Sequence, residues 1–69
     1  MPLTIAEPGV ENFIKRIGGK EEVRRFLETL GFVPGGKVTV VSRNRGNVIV
    51  SIKESRVAVS SEMASKIMV

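Results

Sequence analysis

The stretch LETLGFVPGGKVTV, residues 27–40, joins a helical pattern to a strand pattern and contains the signals that end one and begin the other. Leu27 and Leu30 are the last apolar residues of the predicted helix face. Gly31 is placed to terminate the helix, because glycine adopts the left-handed backbone that commonly closes one. Phe32 is then expected to fold back onto Leu27 as the hydrophobic contact of a Schellman ending.

Upstream of this ending, the residues from Lys20 to Leu30 carry the pattern of an amphipathic helix. Glu21 and Glu22 lie in the first turn, where they complement the positive end of the helix dipole. Apolar side chains recur at positions i, i+3, i+4 and i+7, which form one helix face; they are Val23, Phe26, Leu27 and Leu30. We expect this face to pack into the core.

Downstream, Pro34-Gly35 predicts a type II turn, with proline at position i+1 and glycine at position i+2. Three alternating β segments with short loops between them follow; they cover residues 37–43, 48–53 and 56–60. In the first of these segments the alternation predicts Val40 on one face of the sheet and Val41 on the other. Either Ser60 or Ser61 is then expected to cap a single helical turn.

Further strands are predicted near the two ends of the chain. Leu3 and Ile5 have strand spacing ahead of a second turn pair, Pro8-Gly9. The next strand, from Val10 to Ile17, has apolar residues that cannot all share one face. We therefore expect a bulge in it or one apolar residue left at the surface. The final segment, Ile67 to Val69, is expected to close the sheet against the first strand.

These elements predict a mainly β fold with one inserted α-helix, arranged as a small, partly open SH3-like barrel that spans residues 1–69 as a single domain. A curled sheet encloses its own apolar face and leaves few unpaired edges. This arrangement suits a chain of 69 residues, because so small a domain has little apolar surface with which to form a core. An open α+β roll is the alternative topology.

The composition removes several chemistries together, because the chain has no cysteine and no histidine. Disulfides, thiolate zinc sites and imidazole-based catalysis are therefore excluded. The glutamates are spread over separate elements, so we expect no metal site, no catalytic residue, no bound cofactor and no enzymatic activity. The sequence shows neither a membrane-helix pattern nor a signal-peptide pattern, from which we expect a cytoplasmic protein without membrane insertion.

The net charge of +4 and the pI near 10.1 make nucleic-acid binding an alternative function. The basic residues are scattered rather than gathered in one tract. The chain has no Trp or Tyr, and Phe13 and Phe26 are expected to be buried, so base-stacking platforms are scarce. The same shortage argues against an aromatic groove for proline-rich peptides. Nucleic acid is therefore an unlikely partner.

The pattern Leu27-x-x-Leu30-Gly31-x-x-Pro34-Gly35, followed at once by a valine-rich strand, resembles the FeoA family of ferrous-iron transport accessory proteins. The similarity continues through Pro8-Gly9, the hairpin with Gly46, the strand Val57-Ala58-Val59 and the closing Ile67-x-Val69, and so covers nearly the whole chain. The sequence departs from the family pattern at Asn12, Val48, Glu54, Ser60 and Ser61. Glu54 stands where the family often has glycine.

This resemblance implies an accessory or regulatory role in ferrous-iron uptake, through binding to the cytoplasmic part of the FeoB permease or to its GTP-hydrolysing domain. A similar domain occurs at the C-terminus of metal-dependent repressors, so a regulator-associated SH3-like module is a further alternative. The chain has no P-loop lysine motif, and nucleotide hydrolysis is therefore expected of the partner.

The candidate partner-binding surface is the helix ending with the turn after it, which could present a rigid apolar knob. Its residues are Leu27, Leu30, Gly31, Phe32, Val33, Pro34 and Gly35. A structural role explains most of them, because Leu27, Leu30 and Phe32 are expected in the core. Val33 is the best candidate for an exposed contact. Self-association through an exposed edge strand or an apolar patch is a separate possibility.

Overall fold

A computed structural model describes the whole sequence, residues 1–69, and places six strands and two α-helices along it. In chain order these are a 3-10 helix at Leu3–Ile5, β1 at Glu11–Phe13, β2 at Arg16–Ile17, α1 at Glu21–Leu30, β3 at Lys37–Asn44, β4 at Asn47–Ile52, β5 at Ser55–Ser60, α2 at Ser61–Ala64 and β6 at Ile67–Met68. The predicted mainly β fold with one inserted helix of several turns is confirmed.

The strands form two antiparallel sheets that share one stretch of chain. The larger sheet has the order β1-β3-β4-β5, and the smaller sheet pairs β2 with β6. β1 and β2 lie on either side of Ile14 and Lys15, so the chain passes directly from one sheet to the other. The Lys15 N–H donates to the Met68 carbonyl at 2.7 Å and so extends the smaller sheet. β5 does not pair with β6, and α2 connects them, which leaves the barrel partly open.

The core is entirely apolar. No polar or charged residue is buried, and no buried side-chain nitrogen or oxygen lacks a hydrogen-bond partner. The buried residues come from both sheets, both α-helices and the loops: Leu3, Ala6, Ile14, Ile17, Leu27, Phe32, Val38, Val40, Val48, Val50, Ile52, Val59, Ala64, Ile67 and Val69. Burial of apolar surface therefore provides most of the stabilisation of this small fold.

The strand predicted at Leu3 and Ile5 is wrong, because this segment forms a 3-10 helix. The Ile5 and Ala6 N–H groups donate to carbonyls three residues back, at 3.2 and 3.1 Å. With three residues per turn, residues i and i+3 share a face. Leu3 and Ala6 are accordingly both buried, whereas Ile5 is exposed. Arg43 anchors the segment to β3 by donating to the Thr4 carbonyl.

The predicted burial of Phe13 and Phe26 is also wrong, since their side chains are 56% and 47% exposed. In β1, Asn12 lies opposite the buried Val38, so the alternation directs Phe13 to the other face. The break between β1 and β2 then returns Ile14 to the core. The expected bulge or surface-exposed apolar residue thus takes the form of a strand interruption together with an exposed phenylalanine.

Phe26 is exposed because α1 contacts the core through a narrow stripe. Leu27 is fully buried, and Val23 and Leu30 pack against the core while staying partly exposed. These three positions, i, i+4 and i+7, follow one line along the helix, and Phe26 lies beside that line. The helix therefore covers one edge of the barrel and keeps most of its surface in solvent.

The simple alternation predicted for β3 fails at Val41. Val40 pairs with Val50, but the next pair is Ser42 with Ile49, so Val41 is an extra residue on β3. Such a β-bulge increases the local twist and bends the strand. Val41 is consequently half-buried instead of pointing fully outward.

The β4–β5 hairpin has a strained turn. Ile52 pairs with Ser55, and the two loop residues, Lys53 and Glu54, have φ values of 48° and 68°. A left-handed backbone costs a residue with a side chain about 1–2 kcal/mol. Two-residue hairpin loops of this kind favour Asn-Gly, and the turn uses neither residue.

We expect Glu54→Gly to raise the free energy of unfolding by about 0.5–1 kcal/mol, because glycine adopts this φ without strain. For a domain of this size the gain corresponds to a melting temperature about 2–8 °C higher. Thermal unfolding followed by circular dichroism measures it. Glu54→Ala is the control, since it removes the carboxylate and keeps the strain. A gain with alanine as large as with glycine would contradict this explanation.

The two ends of the described chain lie side by side. The Met1 ammonium group donates to the Val69 carbonyl at 2.8 Å, and the Val69 N–H donates to the Met1 carbonyl at 2.8 Å. Pro2 and Met68 form an isolated β-bridge beside them. β6 pairs with β2, so the predicted closing strand is present at Ile67–Met68. Neither α-helix has the length and apolar character required to cross a bilayer.

Candidate docking site

The C-terminal end of α1 has the two backbone hydrogen bonds that define a Schellman ending. The Gly31 N–H donates to the Glu28 carbonyl at 2.9 Å, and the Phe32 N–H donates to the Leu27 carbonyl at 3.0 Å. Gly31 has a φ of 106°, in the region that favours glycine. Leu27 and Phe32 are both fully buried in the core cluster. The predicted helix stop is therefore confirmed at Gly31.

The turn after the helix is tied to the core at two points. The Gly36 N–H donates to the Val33 carbonyl at 2.9 Å, with Pro34 at position i+1 and Gly35, at φ 85°, in position i+2. This is the predicted type II turn. The Gly35 N–H donates to the Ile14 carbonyl at 2.7 Å, and the Ile14 N–H donates to the Gly36 carbonyl at 2.9 Å. Because Ile14 is a core residue, the turn is held rigidly.

The seven predicted docking residues, which together with Glu28 and Thr29 we call the docking segment (residues 27–35), divide into a supporting layer and a presenting layer. The supporting layer is fully buried and consists of Leu27 and Phe32. The presenting layer is half-buried or exposed and consists of Leu30, Gly31, Val33, Pro34 and Gly35. Leu27 and Phe32 thus support the segment from the core side, and only the presenting layer is accessible to a partner.

An open groove of about 540 Å³ borders the docking segment on the outer side of the larger sheet. Its walls include the backbone of Gly31 from the docking segment and of the neighbouring Gly36. The other lining residues come from β1, β3, β4 and the β4–β5 turn: Glu11, Lys37, Thr39, Ser51, Ile52, Lys53 and Glu54. The groove therefore has two lysines and two glutamates in its lining, next to the docking segment.

Sequence reasoning missed this groove. The available signal was the run of polar residues at alternate positions of β3 and β4, such as Lys37, Thr39 and Ser51. Their alignment depends on cross-strand register, in which Glu11 pairs with Thr39 and Thr39 with Ser51. A single sequence does not reveal that register.

The charged groups do not converge on a reactive centre. No group of three or more carboxylates lies close enough together to hold a metal ion. The single ion pair joins Arg25 to Glu21 at 2.7 Å across one helical turn, and both side chains are exposed. Such a pair stabilises a helix by only a few tenths of a kcal/mol. The outstanding local feature is thus the rigid docking segment with its groove.

Two short antiparallel sheets around an apolar core, with one helix inserted before β3, define a small SH3-like β domain. The family model described as the FeoA domain matches residues 1–69. The chain belongs to the FeoA family, as the resemblance of the turn and helix-stop pattern indicated.

Similar proteins agree with this assignment. The chain is 35% identical over 68 residues to a candidate Fe(2+) transport protein A of Methanocaldococcus jannaschii, covering 99% of this chain and 83% of that protein. A crystal structure of a FeoA called an iron uptake regulatory protein superposes with a TM-score of 0.90 at 26% identity, covering 99% of this chain and 92% of that one.

A third similar protein is the FeoA of Stenotrophomonas maltophilia, described as an SH3 domain protein and solved in complex with zinc. Its TM-score is 0.84 at 20% identity, and the match covers 99% of this chain and 87% of that one. Together with the first crystal structure it confirms the predicted SH3-like fold. The protein is therefore a member of a family of iron-transport accessory proteins.

Proposed function

We propose that this protein is a non-enzymatic, cytoplasmic accessory protein of ferrous-iron uptake that docks through residues 27–35 onto the cytoplasmic part of the FeoB permease, including its GTP-hydrolysing domain. The observation that carries the proposal is the rigid turn at Val33–Gly36, which presents an exposed proline and a half-buried valine. A surface that is already ordered loses little conformational entropy on binding.

Family membership and composition support the accessory role. The Stenotrophomonas maltophilia FeoA is described as a candidate ferrous iron transport activating factor. This chain lacks the histidine and cysteine that most hydrolytic and thiolate chemistry requires, and it has no P-loop lysine motif. In this proposal the partner carries the pore and the nucleotide site, and therefore performs both ion transport and nucleotide hydrolysis. The contribution of this chain is then a binding surface.

Val33→Asp is the sharpest test of the docking segment. A partner that packs on the half-exposed Val33 would have to desolvate the new carboxylate, which is costly without a matching cation. We expect the affinity for the cytoplasmic region of FeoB, measured by biolayer interferometry, to fall at least about tenfold, which corresponds to about 1.4 kcal/mol. The melting temperature is measured on the same preparation, so that loss of fold is separated from loss of contact.

Val10→Asp is a matched control for this experiment. Val10 follows the other Pro-Gly turn and its side chain is 47% exposed, so the same substitution is made beside an equivalent turn outside the docking segment. We expect its binding to equal that of the unmodified protein. Unchanged binding of Val33→Asp removes Val33 from the interface. Absence of any binding by the unmodified protein refutes the proposed partner.

A further inference from the structure

One edge of the larger sheet is long, regular and unpaired. β5, Ser55–Ser60, is the terminal strand of the order β1-β3-β4-β5 and pairs only with β4. Its register with β4 runs without a shift from Ile52 opposite Ser55 to Asn47 opposite Ser60. The strand contains no proline and no bulge, which are two devices that commonly protect sheet edges.

A hydrogen bond just beyond β5 shows which of its backbone groups face outward. The Ser61 N–H donates to the Gly46 carbonyl at 2.8 Å. Gly46 and Ser61 therefore form a hydrogen-bonded pair of the antiparallel ladder. The next pair, Asn47 with Ser60, is then one that exchanges no hydrogen bonds. Because the two kinds of pair alternate, Arg56 and Ala58 occupy positions of the same type as Ser60.

Arg56, Ala58 and Ser60 therefore direct their N–H and C=O groups away from β4. The N–H groups of all three residues and the C=O groups of Arg56 and Ala58 make no backbone hydrogen bond outside the ladder, and all three residues are exposed. The Ser60 carbonyl is engaged, because Ser60 is the N-cap of α2 and its C=O accepts the first helical hydrogen bond. The opposite edge of the same sheet differs, because β1 is only three residues long and Pro8 precedes it. β5 is thus the edge at which another strand can be added.

We propose that β5 is a homodimerisation edge: β5 of a second copy of this chain pairs with it in antiparallel orientation, with Ala58 opposite Ala58 on the two-fold axis. This register matches all three outward residues, because Arg56 then lies opposite Ser60 and Ser60 opposite Arg56. It forms about four interchain hydrogen bonds without using the Ser60 carbonyls. A shift by two residues towards Ser60 forms about two, and a shift by two towards Ser55 forms about four but leaves the Ser60 N–H without a partner. The dimer joins two four-stranded sheets into one.

The side chains of β5 are compatible with this register. The smallest residue lies on the two-fold axis, and the only charged residue, Arg56, lies opposite a serine, so no like charges are opposed. On the core-facing side, Val57 lies opposite Val59 of the second copy. Val57 is half-buried in one copy, so pairing covers its exposed part. A bulky or like-charged pair at the axis would have excluded a second copy as the occupant.

The interface is small, and each copy carries a net charge of +4, so the dimer is a transient one. The docking segment is tied to Ile14 beside β1, and its groove extends to the β4–β5 turn at Lys53 and Glu54. The dimer uses different groups, the outward backbone groups of Arg56, Ala58 and Ser60 in β5. The proposal therefore does not depend on the identity of the partner that binds residues 27–35.

Sedimentation equilibrium from about 10 µM to about 1 mM tests the proposal, because that range covers weak complexes. We expect the mean mass to rise from monomer towards dimer. Ala58→Lys opposes two charges at the axis and should raise the dissociation constant at least about tenfold. Phe26→Lys adds the same charge on the exposed face of α1, outside the docking segment, and should leave the equilibrium unchanged.

Two further measurements locate the contact. Amide exchange by NMR should slow with concentration at Ala58 and Ser60, while the amides of Val57 and Val59 are protected at every concentration. Ala58→Pro removes an N–H that makes no bond to β4 but is needed for the interchain ladder, so it should abolish dimerisation. If this variant does not fold, the result for Ala58→Lys is used to test the proposal. A monomer throughout the range overturns the proposal, as does a dimer that Ala58→Lys does not weaken.

Discussion

Phe32→Ala is expected to destabilise the protein by about 3–5 kcal/mol, enough to unfold a large fraction of the molecules. Phe32 is the largest fully buried side chain and comes directly after the helix stop. At about 0.05–0.15 kcal/mol per residue, a chain of this length has a total stability of about 3–10 kcal/mol. The cavity left by one phenyl ring removes a large share of that total. Urea denaturation followed by circular dichroism measures the loss.

The other two phenylalanines provide the controls for this experiment. Phe13 and Phe26 are about half exposed, so their alanine variants lose little buried area and should cost less than about 1 kcal/mol. Phe32→Leu keeps most of the volume and should cost less than about 2 kcal/mol, which leaves a folded protein for binding assays. Equal stability of all three alanine variants would contradict the burial of Phe32 and the exposure of Phe13 and Phe26.

Gly31→Ala is expected to lower the free energy of unfolding by about 1–2 kcal/mol, through backbone strain alone. The added Cβ would lie 3.7 Å from Cδ of Lys53 and 3.9 Å from Cδ1 of Ile52, both ordinary contact distances. The φ of 106° is what a side chain disfavours. Equilibrium denaturation in urea gives the difference from the unmodified protein.

Gly31→Asn separates strain from crowding at this position. Asparagine enters the left-handed region more readily than alanine but has the larger side chain. Strain predicts that Asn costs less than Ala, and crowding predicts the reverse order. An asparagine variant less stable than the alanine variant would therefore contradict the explanation from backbone conformation. The ranking also shows whether the groove beside Gly31 tolerates extra atoms.

The features that the sequence predicted correctly depend on short-range chemistry. Gly31 ends the helix because of its own backbone freedom, and the two Pro-Gly pairs form turns with positive φ at Gly9 and Gly35. Ser60 caps α2 by accepting a hydrogen bond from the Met63 N–H at 3.2 Å, one of the two serines expected to do so. Each of these signals is complete within about four residues, so no knowledge of the tertiary structure is required.

The features that the sequence did not predict depend on contacts between distant segments. Leu3 and Ile5 have strand spacing, but the burial of Leu3 with Ala6 in the core favours a 3-10 turn. Phe26 has the period of a core residue, and it is exposed because the barrel covers only a narrow stripe of α1. The polar groove likewise requires three strands in register, which explains why only its Gly31 wall, already part of the docking segment, was anticipated.

The antiparallel bonds between Met1 and Val69 bear on how this domain tolerates being joined to other polypeptides. A host protein could accept it within a surface loop, because both junctions would leave the barrel at one place. For the same reason, a circular permutant with residues 69 and 1 linked and new ends opened at the exposed Arg45-Gly46 hairpin tip should keep the same topology.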